Sequence, residues 1–151
     1  MGRPPLTFKT YPYERSVRVP LIIAGPGVVH ATTATPAVNA DLVPTILALV
    51  GLPRAGGPYD GQSLAPVLHG TGTLPRTAVL LEHLTMHNVP SYCGVRTRGW
   101  KYALYRDGFQ ELYNLQQDPY ELHNVARFRP KIRRQLRQRA LNLCRPRPPD
   151  W

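Results

Sequence analysis

Three short extended runs separated by turn residues are the feature that most constrains how this chain can fold. They occupy residues 92–98, 101–105 and 111–115 and carry tyrosine, valine and leucine side chains. Gly99 separates the first two runs, and Asp107-Gly108 separates the second from the third. Because Asp-Gly is a strong hairpin signal, each run is expected to pair with its neighbour in sequence. The pattern predicts an antiparallel meander.

The middle run also indicates what each face of this meander carries. Side chains alternate between the two faces of a strand. The sequence Lys-Tyr-Ala-Leu-Tyr therefore places Tyr102 and Leu104 on one face, and Lys101, Ala103 and Tyr105 on the other. A helix that begins at Pro130 is predicted to cover the meander, because it carries one apolar stripe among its arginines. The stripe consists of Ile132, Leu136, Ala140 and Leu143.

The whole chain contains 17 prolines and 12 glycines, so its regular elements are expected to be short and joined by turns. Residues 17–24 form an apolar run closed by Gly-Pro-Gly, which predicts a buried strand. A second buried strand is predicted at residues 77–82. Asp41 is expected to cap a helix that ends at Gly51, and Ser63 to cap a short helix over residues 64–68.

The basic charge of the chain is concentrated near its end. The formal net charge is +10, and nine of the 19 lysines and arginines lie between Arg127 and Arg147. Such a stretch is either a solvated helix face or a surface that binds nucleic acid or another anionic polymer. No helix-turn-helix, RNP or zinc pattern supports nucleic acid as the partner.

The cysteines and the apolar runs limit the other classes of site. Cys93 and Cys144 do not form a Cys-x-x-Cys pair and cannot hold zinc alone, so they are either one disulfide or two free thiols. No apolar run is long enough to span a membrane, and the first residues show no secretory signal. The sequence leaves the localisation open.

Several local strings, taken in order, resemble the C-terminal third of sulfatases in the alkaline-phosphatase superfamily. The flavour is that of arylsulfatases and N-acetylglucosamine-6-sulfatases. The strings are Lys9-x-x-x-Tyr13-Glu14 before Arg18-Val19-Pro20-Leu21, Asp41-Leu-Val-Pro44-Thr45, Asp60-Gly61-Gln62-Ser63-Leu64, Trp100-Lys101-Tyr102, Glu111-Leu-Tyr-Asn-Leu115 and Asp118-Pro119-x-Glu121-x-x-Asn124. Each string is weak alone, but six in the family's order are specific.

The resemblance implies an α/β fold in two parts. Residues 1–91 would be the C-terminal part of the sulfatase α/β domain, including the end of its main sheet. Residues 92–151 would be a small antiparallel-sheet subdomain with a C-terminal helix and tail. The implied substrates are sulfated sugars or aryl sulfates.

The resemblance also implies a role for three residues. The ammonium group of Lys9 would contact a sulfate oxygen as a point charge. His83 and His87 follow a strand end where the family builds its substrate pocket, so they would hold a sugar hydroxyl or a sulfate. The alternatives are a solvated lysine and two structural histidines. Arg96 and Trp100 would either line the same pocket or pack within the sheet.

Sulfatases cleave their esters with a formylglycine, made from the first residue of a Cys/Ser-x-Pro-x-Arg motif, and with a bound calcium ion. Neither site is predicted in these 151 residues. Cys93 has Val95 and Thr97 where proline and arginine are required, and Cys144 has Pro148 in place of the arginine. No serine lies two residues before a proline in this motif, and no Asp-Asn or Asp-Asp pair offers the calcium ligands.

The leading hypothesis is therefore a C-terminal sulfatase fragment that is inactive alone and whose partner would be a missing N-terminal half. Two alternatives stay open: a basic module that binds anions or nucleic acid, and a pseudoenzyme that regulates an intact sulfatase.

Overall fold

The structure is a computed structural model that describes residues 10–52, 56–86 and 89–151. Lys9 and His87 lie outside the described residues. Contacts between residues divide the chain into two compact units. One unit joins the residues up to Val19 with Ala78–Trp151, and the other is Pro20–Thr77. The predicted division at residue 91 stays a prediction.

Within the described residues the chain forms short helices and strands. The helices are α1 (Glu14–Val17), α2 (Leu42–Leu49), α3 (Ala65–Leu68) and α4 (Pro130–Leu143), with a 3₁₀ turn at Asn39–Asp41. The strands are β1 (Ala78–His83), β2 (Tyr92–Thr97), β3 (Trp100–Tyr105) and β4 (Gln110–Asn114). Among these residues, no helix combines the length and apolar character that a membrane span would need.

The strands form an antiparallel sheet in which β1, β2, β3 and β4 lie side by side in chain order. This arrangement confirms the predicted meander and adds β1 at its edge. The register pairs Val95 with Tyr102 and Tyr102 with Leu112, so these three side chains share one face. On the opposite face Ala103 pairs with both Gly94 and Glu111.

Helix α4 covers one face of the sheet, as its apolar stripe predicts. Pro130 occupies the first turn, where its missing N–H has no helical partner to lose. Leu136 and Ala140 are buried in the core, and Ile132 packs against them. The prediction is wrong for Leu143, which is 42% exposed. The buried position at this end of the helix belongs instead to Cys144.

A disulfide between Cys93 and Cys144 fastens the end of α4 to β2. The two Cα atoms are 6.0 Å apart, within the usual range for a disulfide, and both residues are fully buried. Of the two alternatives that the sequence leaves open, the structure has the disulfide. Helix and sheet are therefore held together by a covalent bond as well as by their apolar core.

The other face of the sheet is covered by the first described residues of the chain rather than by a helix of comparable length. Tyr11 is buried there with Tyr92, Ala103 and Tyr105, and Tyr13 packs against the same cluster. Because both faces are covered, all residues of β3 from Lys101 to Tyr105 are buried. The predicted alternation of β3 is confirmed, although its second face is as buried as its first.

The second unit is organised around the buried carboxylate of Asp41. Its oxygens accept hydrogen bonds from the backbone N–H groups of Val38 and Gln62, at 2.9 and 2.8 Å, and from both terminal nitrogens of Arg76. The sequence predicts that this side chain caps α2, but it makes no capping hydrogen bond to that helix. Instead it joins the start of α2 to the loop before α3.

The predicted strand at residues 17–24 is wrong for this chain. Residues up to Val17 form α1, and the residues from Arg18 to Ala24 have neither helical nor strand structure. Ile22, in the middle of the apolar run, is 89% exposed. A lone strand gains nothing without a neighbour to satisfy its backbone groups, and the described residues provide none.

Candidate functional site

The segment that follows Lys9 lies against the sheet and is held there by tyrosine side chains. The hydroxyl of Tyr92 donates a hydrogen bond of 3.1 Å to the carbonyl oxygen of Thr10. Three residues further on, the hydroxyl of Tyr13 donates to Glu111 at 2.9 Å. The ring of Tyr13 also meets the ring of Tyr113 edge to face, with centroids 6.1 Å apart. The position of residues 10–13 is thus fixed by side chains of β2 and β4.

Glu111 is the common acceptor for these phenols. It is buried, and its two oxygens accept hydrogen bonds from Tyr13, from Tyr105 at 2.9 Å and from Tyr113 at 3.2 Å. A buried carboxylate is tolerated only when its oxygens are satisfied, and three hydroxyl donors meet that need here. Residues 10–14 are called the opening segment below. Glu111 joins this segment to β3 and β4.

Next to this cluster, Glu14 enters a largely buried group of charges. Its carboxylate lies 2.9 Å from the ammonium nitrogen of Lys101 and accepts hydrogen bonds from Arg96 at 3.2 and 3.4 Å. Lys101 also lies 2.6 Å from a carboxylate oxygen of Glu121. The backbone N–H of Glu14 donates to the other oxygen of Glu121 at 2.5 Å. These four residues, Glu14, Arg96, Lys101 and Glu121, are called the ion cluster below.

The two carboxylates of the ion cluster have pKa values displaced in opposite directions. Burial would raise the pKa of Glu14, but hydrogen bonds and charge from Arg96 and Lys101 bring it below its ordinary value. For Glu121, burial prevails over the attraction of Lys101 and raises the pKa. Glu14 is therefore the member held firmly as a carboxylate, because it has two cationic partners.

His83 is placed by the structure on the same face of the sheet as the opening segment. It ends β1 and pairs with Tyr92 across the strands. The two rings stack with centroids 5.4 Å apart, and Tyr92 in turn binds the carbonyl of Thr10. One side chain therefore links the histidine to the residue that follows Lys9.

The other residues that the sequence indicates for a pocket have structural contacts. Arg96 belongs to the ion cluster, and Trp100 packs against the core beneath α4. Sequence reasoning missed Lys101 and Glu121 altogether. The alternating pattern of β3 could have indicated Lys101, because it places this lysine on the same face as Ala103 and Tyr105.

Near the end of β1, a cleft of about 360 Å³ is lined by Thr85, Pro90, Arg106 and Asp107. The carboxylate of Asp150 accepts hydrogen bonds from Thr85 and Ser91 beside it. The sequence predicts an extended tail for the last residues of the chain. In the structure these residues lie against the loop after β1.

The described residues do not fit the family's nucleophile or its metal. Both cysteines of the sequence are joined in the buried disulfide, so neither is a free thiol. In the part of the chain that the structure describes, no three His, Cys, Asp or Glu side chains come together as metal ligands would. Among the described residues, the geometry supplies the anchored cations of Arg96 and Lys101 and a set of buried aromatic side chains.

Comparison with known proteins assigns the family. The family described as "N-sulphoglucosamine sulphohydrolase, C-terminal" matches residues 6–145. A choline-sulfatase of Rhizobium meliloti is 36% identical over 129 residues, which are 83% of this chain and 25% of that protein. An N-acetylglucosamine-6-sulfatase of Bos taurus is 31% identical over 150 residues, covering 76% of this chain and 27% of the relative.

A solved structure extends the similarity to the fold. The structure of BT4656 in complex with its substrate D-glucosamine-2-N,6-O-disulfate superposes with a TM-score of 0.57 at 28% identity. The match covers 68% of this chain and 23% of that one. The chain thus spans about a quarter of the length of the proteins it matches. It belongs to the sulfatase family and corresponds to the family's C-terminal region.

Proposed function

We propose that this chain supplies the C-terminal part of a sulfatase-type sulfuric ester hydrolase and that it has no hydrolase activity alone. The observation that carries the proposal is the anchored opening segment. Side chains of the sheet hold the residues directly after Lys9, which is the position of the family's sulfate-binding lysine.

The exposed apolar surface of the second unit supports the same proposal. Leu21 and Ile22 are exposed, and α2 presents Val43 and Ile46 to solvent. Exposed large apolar side chains are a surface against which another part of a protein can pack. The sulfatase sheet present in the relatives would cover them, and residues 17–24 would then have the strand neighbour that their pattern anticipates.

In this proposal Lys9 contacts a sulfate oxygen, while His83 and His87 lie at the edge of the substrate pocket. In sulfatases formylglycine and calcium supply the nucleophile and neutralise the sulfate charge. The described residues of this chain do not fit either group, so they take no part in forming the nucleophile or in holding the calcium ion. The contribution of this chain is to bind and orient the sulfate group through the ammonium group of Lys9.

The substrate class is a sulfate ester of a sugar or an aryl alcohol. Relatives of similar identity are named for choline and for N-acetylglucosamine-6-sulfate, so similarity alone does not select one alcohol. Lys9 would recognise the sulfate that all of these esters share.

A chimera tests the proposal. The part of the Rhizobium meliloti choline-sulfatase that this chain matches is replaced by this chain, and hydrolysis of choline sulfate and of p-nitrophenyl sulfate is measured. We expect turnover by the chimera and none by this chain alone. Metal-dependent turnover by the isolated chain would overturn the claim of inactivity, and a folded but inactive chimera would overturn the proposed role.

If the chimera is insoluble, the same two segments are co-expressed as separate chains with one affinity tag. Copurification in a one-to-one ratio is the expected result. Failure of two soluble segments to associate would count against the proposal. Tight, salt-sensitive binding of the isolated chain to heparin or RNA would favour the basic-module alternative instead.

A further inference from the structure

We propose that Glu14 is a positioning residue that acts through Lys9. The ion cluster holds the opening segment, which directly follows Lys9, against the sheet. The inference rests on the proposed function, since it assigns Lys9 to the sulfate. It goes further by naming the residues that fix the segment directly after that lysine.

Glu14 is bound through both its side chain and its backbone. The carboxylate contacts Lys101 of β3 and Arg96 of β2, and the N–H donates to Glu121. A single salt bridge leaves a segment free to swing about one contact. Three partners in different directions define the position of one residue in space.

The anchors do not end at Glu14 but continue along the segment as far as Thr10. Tyr13 is bound to Glu111, and the carbonyl of Thr10 is bound to Tyr92. Lys9 directly precedes Thr10 in the sequence, so the anchored stretch begins one residue after the lysine.

The contacts that hold Glu14 are made by charged and largely buried side chains. Lys101 is 1% exposed, and a buried ion pair is a poor way to gain stability compared with apolar packing. What such a pair provides is direction, because each partner must meet specific oxygens. Charged groups at this place are therefore suited to a segment whose position matters more than its contribution to folding.

Glu14 has no direct catalytic role. Both of its oxygens are occupied by Arg96 and Lys101, and its pKa lies below the ordinary value, so it is poorly suited to take up a proton. It acts on the reaction only through the residue it places.

The first experiment measures anchoring in the isolated chain by hydrogen exchange. Glu14→Gln keeps the shape of the side chain but removes its charge. We expect the amides of residues 10–17 to exchange about tenfold faster or more, while those of β3 stay protected. Glu82→Gln makes the same change at an exposed position of β1 and should alter neither. Unchanged exchange in Glu14→Gln would overturn the anchoring.

The second experiment asks whether Glu14 acts through Lys9, using the active chimera. Glu14→Gln should lower kcat/KM for p-nitrophenyl sulfate by about tenfold to a hundredfold, since small displacements of a binding group cost that much. In a Lys9→Met background the same change should have almost no further effect, because the two residues form one unit. Glu82→Gln should be neutral in both backgrounds.

The outcomes separate this inference from the proposed function. Independent, additive effects of Glu14→Gln and Lys9→Met would overturn the positioning role while the chimera itself still works. A folded chimera without turnover would instead contradict the proposed function. The exchange experiment needs no activity, so it decides the anchoring in either case.

Discussion

At the scale of single residues, the described side chains explain why two of the sequence strings have the composition they do. A Cβ at Gly61 would lie 2.0 Å from the carbonyl oxygen of Ala40, so this position accepts only glycine. That close approach lets the N–H of Gln62 reach Asp41. Thr45 completes the junction, because its hydroxyl donates to the carbonyl of Asp41 and accepts from the N–H of Leu64.

Asp41→Asn should destabilise the second unit by about 3–5 kcal/mol, because it leaves Arg76 without its buried counter-charge. Urea unfolding followed by circular dichroism measures the loss. Asp60→Asn, in the same unit, is the matched control and should change the unfolding free energy by less than about 0.5 kcal/mol. Equal effects of the two substitutions would contradict the central place of Asp41.

The same carboxylate predicts how stability depends on pH. Burial raises the pKa of Asp41, but hydrogen bonds from Arg76, Gln62 and Val38 bring it below the ordinary value of 3.8. A lowered folded pKa contributes stability that is present above the unfolded pKa and is lost as the pH falls through the folded pKa. Between pH 5 and pH 2, Asp41→Asn should therefore lose less stability than the parent chain.

Residues show most clearly what sequence can and cannot predict. The alternation of Lys101 to Tyr105 is a local pattern, so the faces of β3 follow from it directly. The partner of Lys101 does not, since Glu14 lies 87 residues away and nothing local links the two. A lysine in a strand also suggests an exposed position, and only the covering segment makes it buried.

At the scale of elements, the disulfide is the strongest single link between α4 and the sheet. It closes a loop with a sequence separation of 51 residues. In the chain-entropy description, such a loop corresponds to about 4 kcal/mol of stability. Reduction by a phosphine should lower the thermal midpoint of the first unit accordingly, as followed by calorimetry.

The control for reduction is the double variant Cys93→Ala, Cys144→Ala. Its midpoint should be low with or without the reductant, and the two conditions should agree. A parent chain whose midpoint is the same in both conditions would contradict the contribution of the disulfide. The sequence alone could not decide this pairing, because two cysteines 51 positions apart give no sign of distance in space.

The apolar run at residues 17–24 shows why an element can be read correctly as a pattern and still be absent. Its composition is that of a buried strand, yet Val19 and Ile22 are exposed. A strand depends on hydrogen bonds to a neighbour, so a local pattern cannot form one by itself. Helix α4 differs because its backbone hydrogen bonds are internal, and it begins at Pro130 as the sequence predicts.

At the scale of the whole molecule, the buried tyrosines of the sheet predict a loss of stability at high pH. Burial raises the pKa of Tyr102 to about 12, and it raises those of three further tyrosines as well. The three are Tyr92, Tyr105 and Tyr113. A raised folded pKa gives stability that is complete below the unfolded pKa near 10 and is lost as the pH rises above it.

Each such tyrosine should cost about 1.4 kcal/mol per pH unit above pH 10. Urea midpoints between pH 9 and pH 11 measure the slope, and phenolate absorbance reports the ionised fraction. Tyr102→Phe should reduce the slope by about one quarter, since one of four such groups is removed. Ionisation of these phenols near pH 10 in a chain that stays folded would contradict the burial.

The meander and the covering helix could be predicted because each depends on short-range patterns in residues 92–143, whereas the α/β fold class follows from the family resemblance. The opening segment is different. Its string names the family, but its place on the sheet depends on Tyr92, Glu111 and Lys101, which follow it by more than 80 residues. The site is therefore visible in sequence as a motif and in structure as an anchored segment.

The most direct test of the proposed role of this chain is the kinetic effect of Lys9→Met in the choline-sulfatase chimera. If Lys9 binds the sulfate group, kcat/KM for p-nitrophenyl sulfate should fall by about a hundredfold or more, as for other lost donors to a developing charge. The thermal midpoint should not change. Turnover equal to that of the unsubstituted chimera would contradict the assignment of Lys9, and with it the place of this chain in a sulfatase active site.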